Sequence, residues 1–343
     1  MTAIGLIRLA RWHGRCPACS EVGFAADALL GLDGYLTTRA RRMATLAGLE
    51  NPFRKAEMLL TELVGWSVDA DTLRRCVHAE AARGTRDRPE RAALPAEFAA
   101  ASGDHEAQVD AGKVNTLGGW RDIKLAVFAV RDRAEPSSSS DYEQRDLPAP
   151  KLRSVIASVE SAGDFGPRCR AEADRLGLTD PSRLSVLGDG AEWLWNLADL
   201  HFAGSAQVLD VYHATEYLAA AGRAALGGDA LADWLPGARK RLVGDGYAGA
   251  CEVMAGLPGG AEEIGIGLNY LAGHRDRLKY AARLCRGQSI GSGLVEGTIK
   301  QRVNLRLKRT GARWLAEGVG PFVEMLAMTE TSEWNEYWLA QAA

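Results

Sequence analysis

Up to about residue 100, apolar positions recur at helical spacing and strict alternation is absent. Asn51 and Pro52 read as a cap and first turn ahead of the run 53–64. Gly65-Trp-Ser-Val68 breaks that run, and 69–82 resumes it with Leu73, Cys76, Val77 and Glu80 at helical spacing. A helix, a short turn containing Gly and a second helix carrying exposed Arg74 and Arg75 is the outline of a helix-turn-helix, an outline that an ordinary helical hairpin shares. Residues 84–106, rich in Arg, Pro and Ala with weak periodicity, read as a linker or a loosely packed helix. Strand character begins with 107–114 and, across a Gly118-Gly119 turn, 120–130, which together predict a β-hairpin. Pro136-Ser-Ser-Ser-Ser140 and Pro148-Ala-Pro150 then mark an exposed loop. After it the pattern predicts a helix over 165–178, a strand over 184–187, a helix over 191–202 and a strand over 206–209. Strands alternating with helices after a hairpin predict an α/β domain with a mixed sheet. From His213 to about Cys285 the pattern is helical again, broken at Gly227-Gly228, Gly244-Asp-Gly246 and Pro258-Gly-Gly260. This predicts an all-helical insertion, after which Glu296 returns the chain to the core.

With 343 residues and 47% apolar content, the chain has room for roughly two domains and real cores. The net charge of −3 announces no nucleic-acid binder globally, so any attraction to DNA must come from local patches. The six cysteines are scattered and only Cys16 and Cys19 form a close pair, which is no disulfide framework and fits a reducing cytosol. No signal segment or membrane-length run is seen, so a soluble, cytoplasmic protein without a membrane partner is expected.

Three carboxylates stand out. Asp110 and Asp189 each lie at or near the end of a short strand-like run, and Glu296 opens a helix in Gly291-Ser-Gly-Leu-Val-Glu296. Two strand-borne aspartates and a helix-borne glutamate are hard oxygen ligands suited to Mg²⁺ or Mn²⁺ acting on a phosphodiester. Singly, each also reads as a turn aspartate or a first-turn glutamate. The segment after Glu296 carries Lys300, Arg302, Arg306, Lys308, Arg309 and Arg313 with no intervening acid, which points to phosphate contact. Asp210 and His213 follow a strand and open a helix; they read as a cap and first-turn residue, or as a pair that orders the site. Cys16-Pro-Ala-Cys19 is half of a zinc ribbon, with His13 near enough on paper to be a third ligand, and equally an incidental thiol pair.

Four ordered strings carry a family resemblance: Gln108-Val-Asp110 with Trp120-Arg-Asp-Ile-Lys-Leu125, Leu187-Gly-Asp189-Gly-Ala-Glu-Trp-Leu-Trp195, Leu209-Asp210-Val-Tyr-His213, and Ile290-Gly-Ser-Gly-Leu-Val-Glu296. Together with the closing Trp334-Asn-Glu-Tyr-Trp338, they resemble bacterial insertion-sequence transposases of the Kra type, part of the DDE group near the Mutator-like branch. The resemblance runs over most of the chain. It implies a ribonuclease-H-like mixed-sheet core with an all-helical insertion, preceded by a helical DNA-binding region. It also implies Asp110, Asp189 and Glu296 as the catalytic triad, Asp210 and His213 as an Asp-x-x-His signature, and Mg²⁺ or Mn²⁺ as cofactor. The expected partners are terminal inverted repeats and target DNA, bound by a homo-oligomer. The corresponding divisions are 1–50, a ribbon-like remnant and helix; 51–100, the helix-turn-helix-like region; 101–213, the first part of the core; 214–288, the insertion; and 289–343, the basic helix and C-terminal part. In that family an earlier Cys pair completes the zinc ribbon, so the chain looks N-terminally shortened. Asp110-Ala-Gly stands where the family has Asp-Gly. Two alternatives are a catalytically inactive DNA-binding remnant of a transposase, which would lack a carboxylate, and a haloacid-dehalogenase-like phosphatase, which needs an Asp where Gly112 stands.

Overall fold

The computed structural model describes residues 1–20 and 22–342. Two short antiparallel hairpins, Gly14–Arg15 with Val22–Gly23 and Leu32–Asp33 with Leu36–Thr37, precede the first long helix. Helices α1 (Thr38–Glu50), α2 (Phe53–Val64) and α3 (Ala70–Arg86) follow. Thr37 caps α1 by accepting from Ala40 N, and Asp69 caps α3 by accepting from Asp71 N and Thr72 N. Between α2 and α3, Gly65 takes the left-handed conformation that ends a helix, at φ 66°. Trp66 and Val68 then drop into a core shared with Ala44, Ala56, Leu60 and Leu73. Two helices joined at Gly65 are common to a helix-turn-helix and an ordinary helical hairpin.

The stretch 84–106 is no linker. Helix α3 runs through Arg86, a 3₁₀ turn spans Arg88–Glu90, α4 covers Ala93–Ala100, and the first core strand starts at Asp104. Leu94 and Phe98, four apart, bury one face of α4, and Arg88 and Arg91 are buried in ion pairs to Glu172 (3.1 Å) and Glu333 (3.3 Å). Local polarity hides this packing because the acidic partners are distant in sequence.

The centre is a five-stranded mixed sheet. Strand β1 (Asp104–Thr116) pairs antiparallel with β2 (Gly119–Arg131), which pairs antiparallel with β3 (Leu152–Ser158). On the other side of β1 lie β4 (Leu184–Gly188) and β5 (Ala206–Leu209), both parallel to it, giving the order β3-β2-β1-β4-β5. The side-chain period of two divides β2 between two cores. Ile123, Leu125 and Val127 pack with Val295, Val303, Trp314 and Phe322; Ala126, Phe128 and Val130 pack with Phe165, Cys169 and Leu194. Each large side chain fully buried this way contributes about 1.5–3 kcal/mol. Helices α5 (Ala162–Arg175) and α6 (Glu192–His201) cover the second face, close to the ranges the periodicity predicts.

The insertion is helical as expected: α7 (Val211–Ala225), α8 (Gly228–Ala255) and α9 (Ala261–Gly273), with α8 kinked at Gly246. The chain returns to the first core through α10 (Gly293–Thr298), which continues as a π-helical turn over Ile299–Asn304. Helices α11 (Ala316–Met328) and α12 (Glu333–Ala340) close the chain. The N-terminal helices share a core with these last elements, since Leu49, Val77 and Ala81 pack with Val319, Phe322 and Tyr337. Arg41 and Glu80, paired at 2.8 Å, are buried beside them, and the Tyr337 hydroxyl donates to Glu80. Among the described residues, no helix is long and apolar enough to cross a membrane.

Candidate active site

The strand register decides where the aspartates lie. In the parallel pairing of β1 with β4, Gln108 stands opposite Leu187. Two residues further on each strand come Asp110 and Asp189. In the pairing of β4 with β5, Gly188 stands opposite Leu209, so Asp210, the residue just past β5, comes level with Asp189. Neighbouring strands are about 4.8 Å apart, so three aspartates line up across one end of the parallel part of the sheet. Asp110 is not at a strand end, as its short apolar run suggests: β1 continues to Thr116 alongside β2 while β4 stops at Gly188. Asp110 therefore sits where a long strand passes the end of its shorter neighbour.

Glu296 is brought to the same place by two side chains. Alternation on β1 puts Gln108, Asp110, Gly112 and Val114 on one face, the face on which Val114 packs with Val295, Ile299 and Val303. Gln108 Oε1 accepts from Leu294 N (3.0 Å), a first-turn amide of α10 with no backbone partner, and shares Val295 N (3.2 Å) with the Ser292 carbonyl (3.1 Å). Asp210 Oδ2 accepts from Ser292 N at 2.6 Å and lies 3.1 Å from Ser292 Oγ, while its Oδ1 caps α7 through His213 N at 2.9 Å. Ser292 Oγ is also 2.9 Å from Glu296 Oε1. One hydroxyl has one proton, so it donates to one of these two carboxylates at a time and bridges them. Behind the site, Gln108 Nε2 donates to the buried Glu106, which also accepts from Arg131 Nε (3.2 Å) and Ser289 Oγ.

Asp189 has its own support. Its Oδ1 accepts from Ala191 N at 3.1 Å, and its carbonyl accepts from the Tyr270 hydroxyl at 3.0 Å. Gly190 follows at φ 94°, and a Cβ there would lie 1.8 Å from Tyr270 Oη, so only glycine admits the approach of the insertion. Tyr270 stacks on Tyr217 at 3.8 Å between ring centroids, with the His213 ring 6.4 Å away. The insertion therefore packs an aromatic group against the Asp189 turn.

These carboxylates feel one another. Burial, foremost, pushes the Asp110 carboxyl up to about 6; Asp189 and Glu296 raise it further, while the Ala111 amide and His213 oppose the rise. Burial also raises Glu296, against the Ser292 hydrogen bond, with Asp210 and Asp189 adding to the rise. Clustered acids of this kind fit a divalent cation, which would relieve their repulsion. Among the described residues, however, no three His, Cys, Asp or Glu side chains are gathered into a metal-ligand group. The donor chemistry fits; the side chains are not closed into ligating positions.

The basic segment after Glu296 divides into two sets. Lys300, Arg309 and Arg313 are exposed and Lys308 is half-buried. Arg302 is paired instead with Glu330 and, at 3.8 Å, with Glu50. Arg306 is buried, donates at 2.7 Å to the Gly48 and Leu49 carbonyls, and lies over the rings of Phe53, Trp314 and Phe322. A phosphate-facing role for Arg306 is therefore withdrawn: its partners come from α1, which local composition does not reveal. No ion pair links Glu296 to Lys300 among the described residues. Arg74 and Arg75 are exposed, and both pair with Asp71. Cys16 and Cys19 are exposed between the strands of the first hairpin. The His13 ring packs against Phe24. The Cys19 amide, then that of Ala18, holds the Cys16 thiol below its usual range.

The sequence patterns give no role to Glu106, Gln108, Ser292 or Tyr270. The available signals were the shared face of Gln108 and Asp110, two apart on a strand, and the four-residue spacing of Ser292 and Glu296.

The fold is that of an α/β protein with a mixed sheet and an acidic cluster at one end of its parallel strands. Neither the protein-family models nor the curated proteins include a match to this chain.

Proposed function

We propose that this chain is an insertion-sequence DNA transposase with a ribonuclease-H-like core, using Asp110, Asp189 and Glu296 for metal-dependent phosphoryl transfer. The observation that carries the reading is the register that aligns Asp110 with Asp189, together with the anchoring of the Glu296 helix over them by Gln108 and Asp210. The mixed five-stranded sheet is compatible with the mixed-sheet core that the reading expects.

Mg²⁺ or Mn²⁺ held by these three carboxylates would supply Lewis acidity at the scissile phosphate and favour deprotonation of the attacking oxygen. The chain itself fixes the acids. Asp110 is held by β1, which stays paired with β2 there beyond the end of β4, Asp189 by the Tyr270 and Ala191 contacts, and Glu296 through Ser292. His213 faces the cluster from α7 and lowers the proton affinity of Asp110 and Glu296. Asp210 is a positioning residue, tying α7 to the Ser292 segment. The exposed Lys300, Arg309 and Arg313 supply phosphate contacts, with Arg74 and Arg75 further off on α3. The partners are terminal inverted repeats and target DNA, bound by a homo-oligomer.

Calorimetric titration with Mn²⁺ tests the assignment apart from turnover. Wild type is expected to bind Mn²⁺, and Asp110→Asn or Asp189→Asn to weaken binding roughly tenfold or more, since even outer-shell changes at metal sites cost about that much. Equal Mn²⁺ affinity in the wild type and both variants would refute the triad.

A further inference from the structure

A cavity of about 870 Å³ opens between the N-terminal helices and the segment that follows the π-helical turn. That volume lies within the roughly 300–1,000 Å³ typical of small-molecule sites. Its aromatic wall is formed by Phe53 at the start of α2, His78 on α3 and Trp314 ahead of α11. The Trp314 ring centroid is 5.9 Å from His78 and 6.5 Å from Phe53. The buried Arg306 guanidinium, 5.3 Å from both the Phe53 and Trp314 rings and tied to α1 carbonyls, fixes this wall in place. Around the opening stand Arg54, Arg74, Arg309 and Arg313. Arg54, Arg309 and Arg313 have no ion-pair partner among the described residues. Arg74 shares Asp71 with Arg75.

Cations alone would serve a duplex backbone, whose phosphates face outward. An aromatic concavity gains nothing from paired bases, because their faces are already stacked. It gains from a base that has left the stack, and each base stacked on an aromatic side chain is worth about tenfold in affinity. Aromatic wall and cationic rim together match one nucleotide, with its base inside and its phosphates at the opening.

We propose that this cavity holds an unpaired nucleotide of the bound DNA strand, its base against Phe53, His78 and Trp314 and its phosphates on Arg54, Arg309 and Arg313. The proposal rests on the DNA-transfer reading above and adds to it a strand-holding contact. The bridge between Thr116 and Trp314 puts the cavity by the β1–β2 hairpin tip. That is six residues along β1 from Asp110, or about 20 Å at strand rise, so the nucleotide held is not the one that reacts.

The test compares the full chain's affinity, by fluorescence anisotropy, for a blunt duplex and for the same duplex with a short unpaired 3′ tail containing 2-aminopurine. Wild type should favour the tailed duplex about tenfold, with a change in 2-aminopurine emission on binding. The exposed double variant Arg309→Glu, Arg313→Glu should keep its circular dichroism and lose that preference. Equal affinity for tailed and blunt duplex, or a preference that survives the double variant, overturns the proposal. Displacement of the tail by micromolar dAMP would assign the cavity to a free nucleotide and overturn it as well. Metal-dependent cleavage of blunt DNA with no tail preference would sink the cavity proposal alone. Failure to bind either DNA and failure to cleave would sink both it and the transposase reading.

Discussion

Asp210→Asn tests how the glutamate helix is held. The Asp210 carboxylate is 2% exposed and serves two elements: His213 N at the start of α7, and Ser292 N and Oγ ahead of α10. An asparagine of the same shape has one acceptor oxygen and a donor amino group. With its oxygen kept on His213 N, the amino group faces Ser292 N, and a buried donor is left unsatisfied. The opposite rotamer orphans His213 N instead. Such a group costs about 1–3 kcal/mol, and the lost charge assistance adds to this, so a total of about 2–4 kcal/mol is expected. A loss of that size lowers the thermal midpoint by several degrees, at roughly 2–4 °C per kcal/mol for domains of 150–250 residues and somewhat less in a longer chain. Circular dichroism melting measures the global loss, and amide hydrogen exchange over residues 290–297 measures local release of the helix start. Asp189→Asn is the control, because its oxygen can still accept from Ala191 N and its amide removes a like charge. The reasoning is refuted if Asp210→Asn melts with the wild type and exchanges no faster over 290–297.

Other expectations follow from the same contacts. Burial would raise Glu172, but Arg88 and Arg175 outweigh it and hold the carboxyl at about 2 against the usual 4.5. Its ionised form therefore stabilises the fold above pH 4.5, by roughly 3 kcal/mol at most, and this is lost as the pH falls from 4.5 towards 2. Glu172→Gln should lower the melting midpoint at pH 7 and flatten its fall across that window; an acid profile parallel to wild type contradicts the ion-pair account. Arg306→Ala, which leaves two buried carbonyls without donors and a gap among three rings, should cost about 2–4 kcal/mol in urea unfolding. Arg309→Ala should leave stability unchanged but reduce the salt slope of DNA binding by about one, and the reverse pattern would exchange their roles. Tyr270→Phe removes one neutral hydrogen bond to the Asp189 carbonyl, so a stability loss of about 0.5–1.5 kcal/mol with a weaker Mn²⁺ isotherm is expected. An unchanged isotherm would show that the insertion does not position Asp189.

What could be read directly was what local pattern encodes. Strand β5 falls where Ala206 to Leu209 is bounded by a glycine-serine turn and the Asp210 cap, and Gly65 marks the break between α2 and α3 because only that backbone conformation stops α2 there. Strand β3 escapes the same reading, since Arg153 and Ser154 interrupt its apolar residues after a proline-rich loop. Buried charge is equally opaque. Arg88, Arg91, Arg302 and Arg306 read as solvated or phosphate-facing, yet each meets its partner across a large sequence separation. The candidate site divides along the same line. Residue type suggests Asp110, Asp189 and Glu296, whereas the hold that Gln108 and Ser292 have on the helix depends on strand register.

The central claim is tested most directly by incubating purified protein with Mg²⁺ or Mn²⁺ and DNA carrying the inverted repeats that the proposal expects on either side of its coding sequence. Wild type should nick or join strands at the repeat ends, and Asp189→Asn should retain gel-shift binding while losing all strand cleavage. Cleavage by Asp189→Asn at the wild-type rate, or none by folded wild type that binds the repeats, would contradict the assignment.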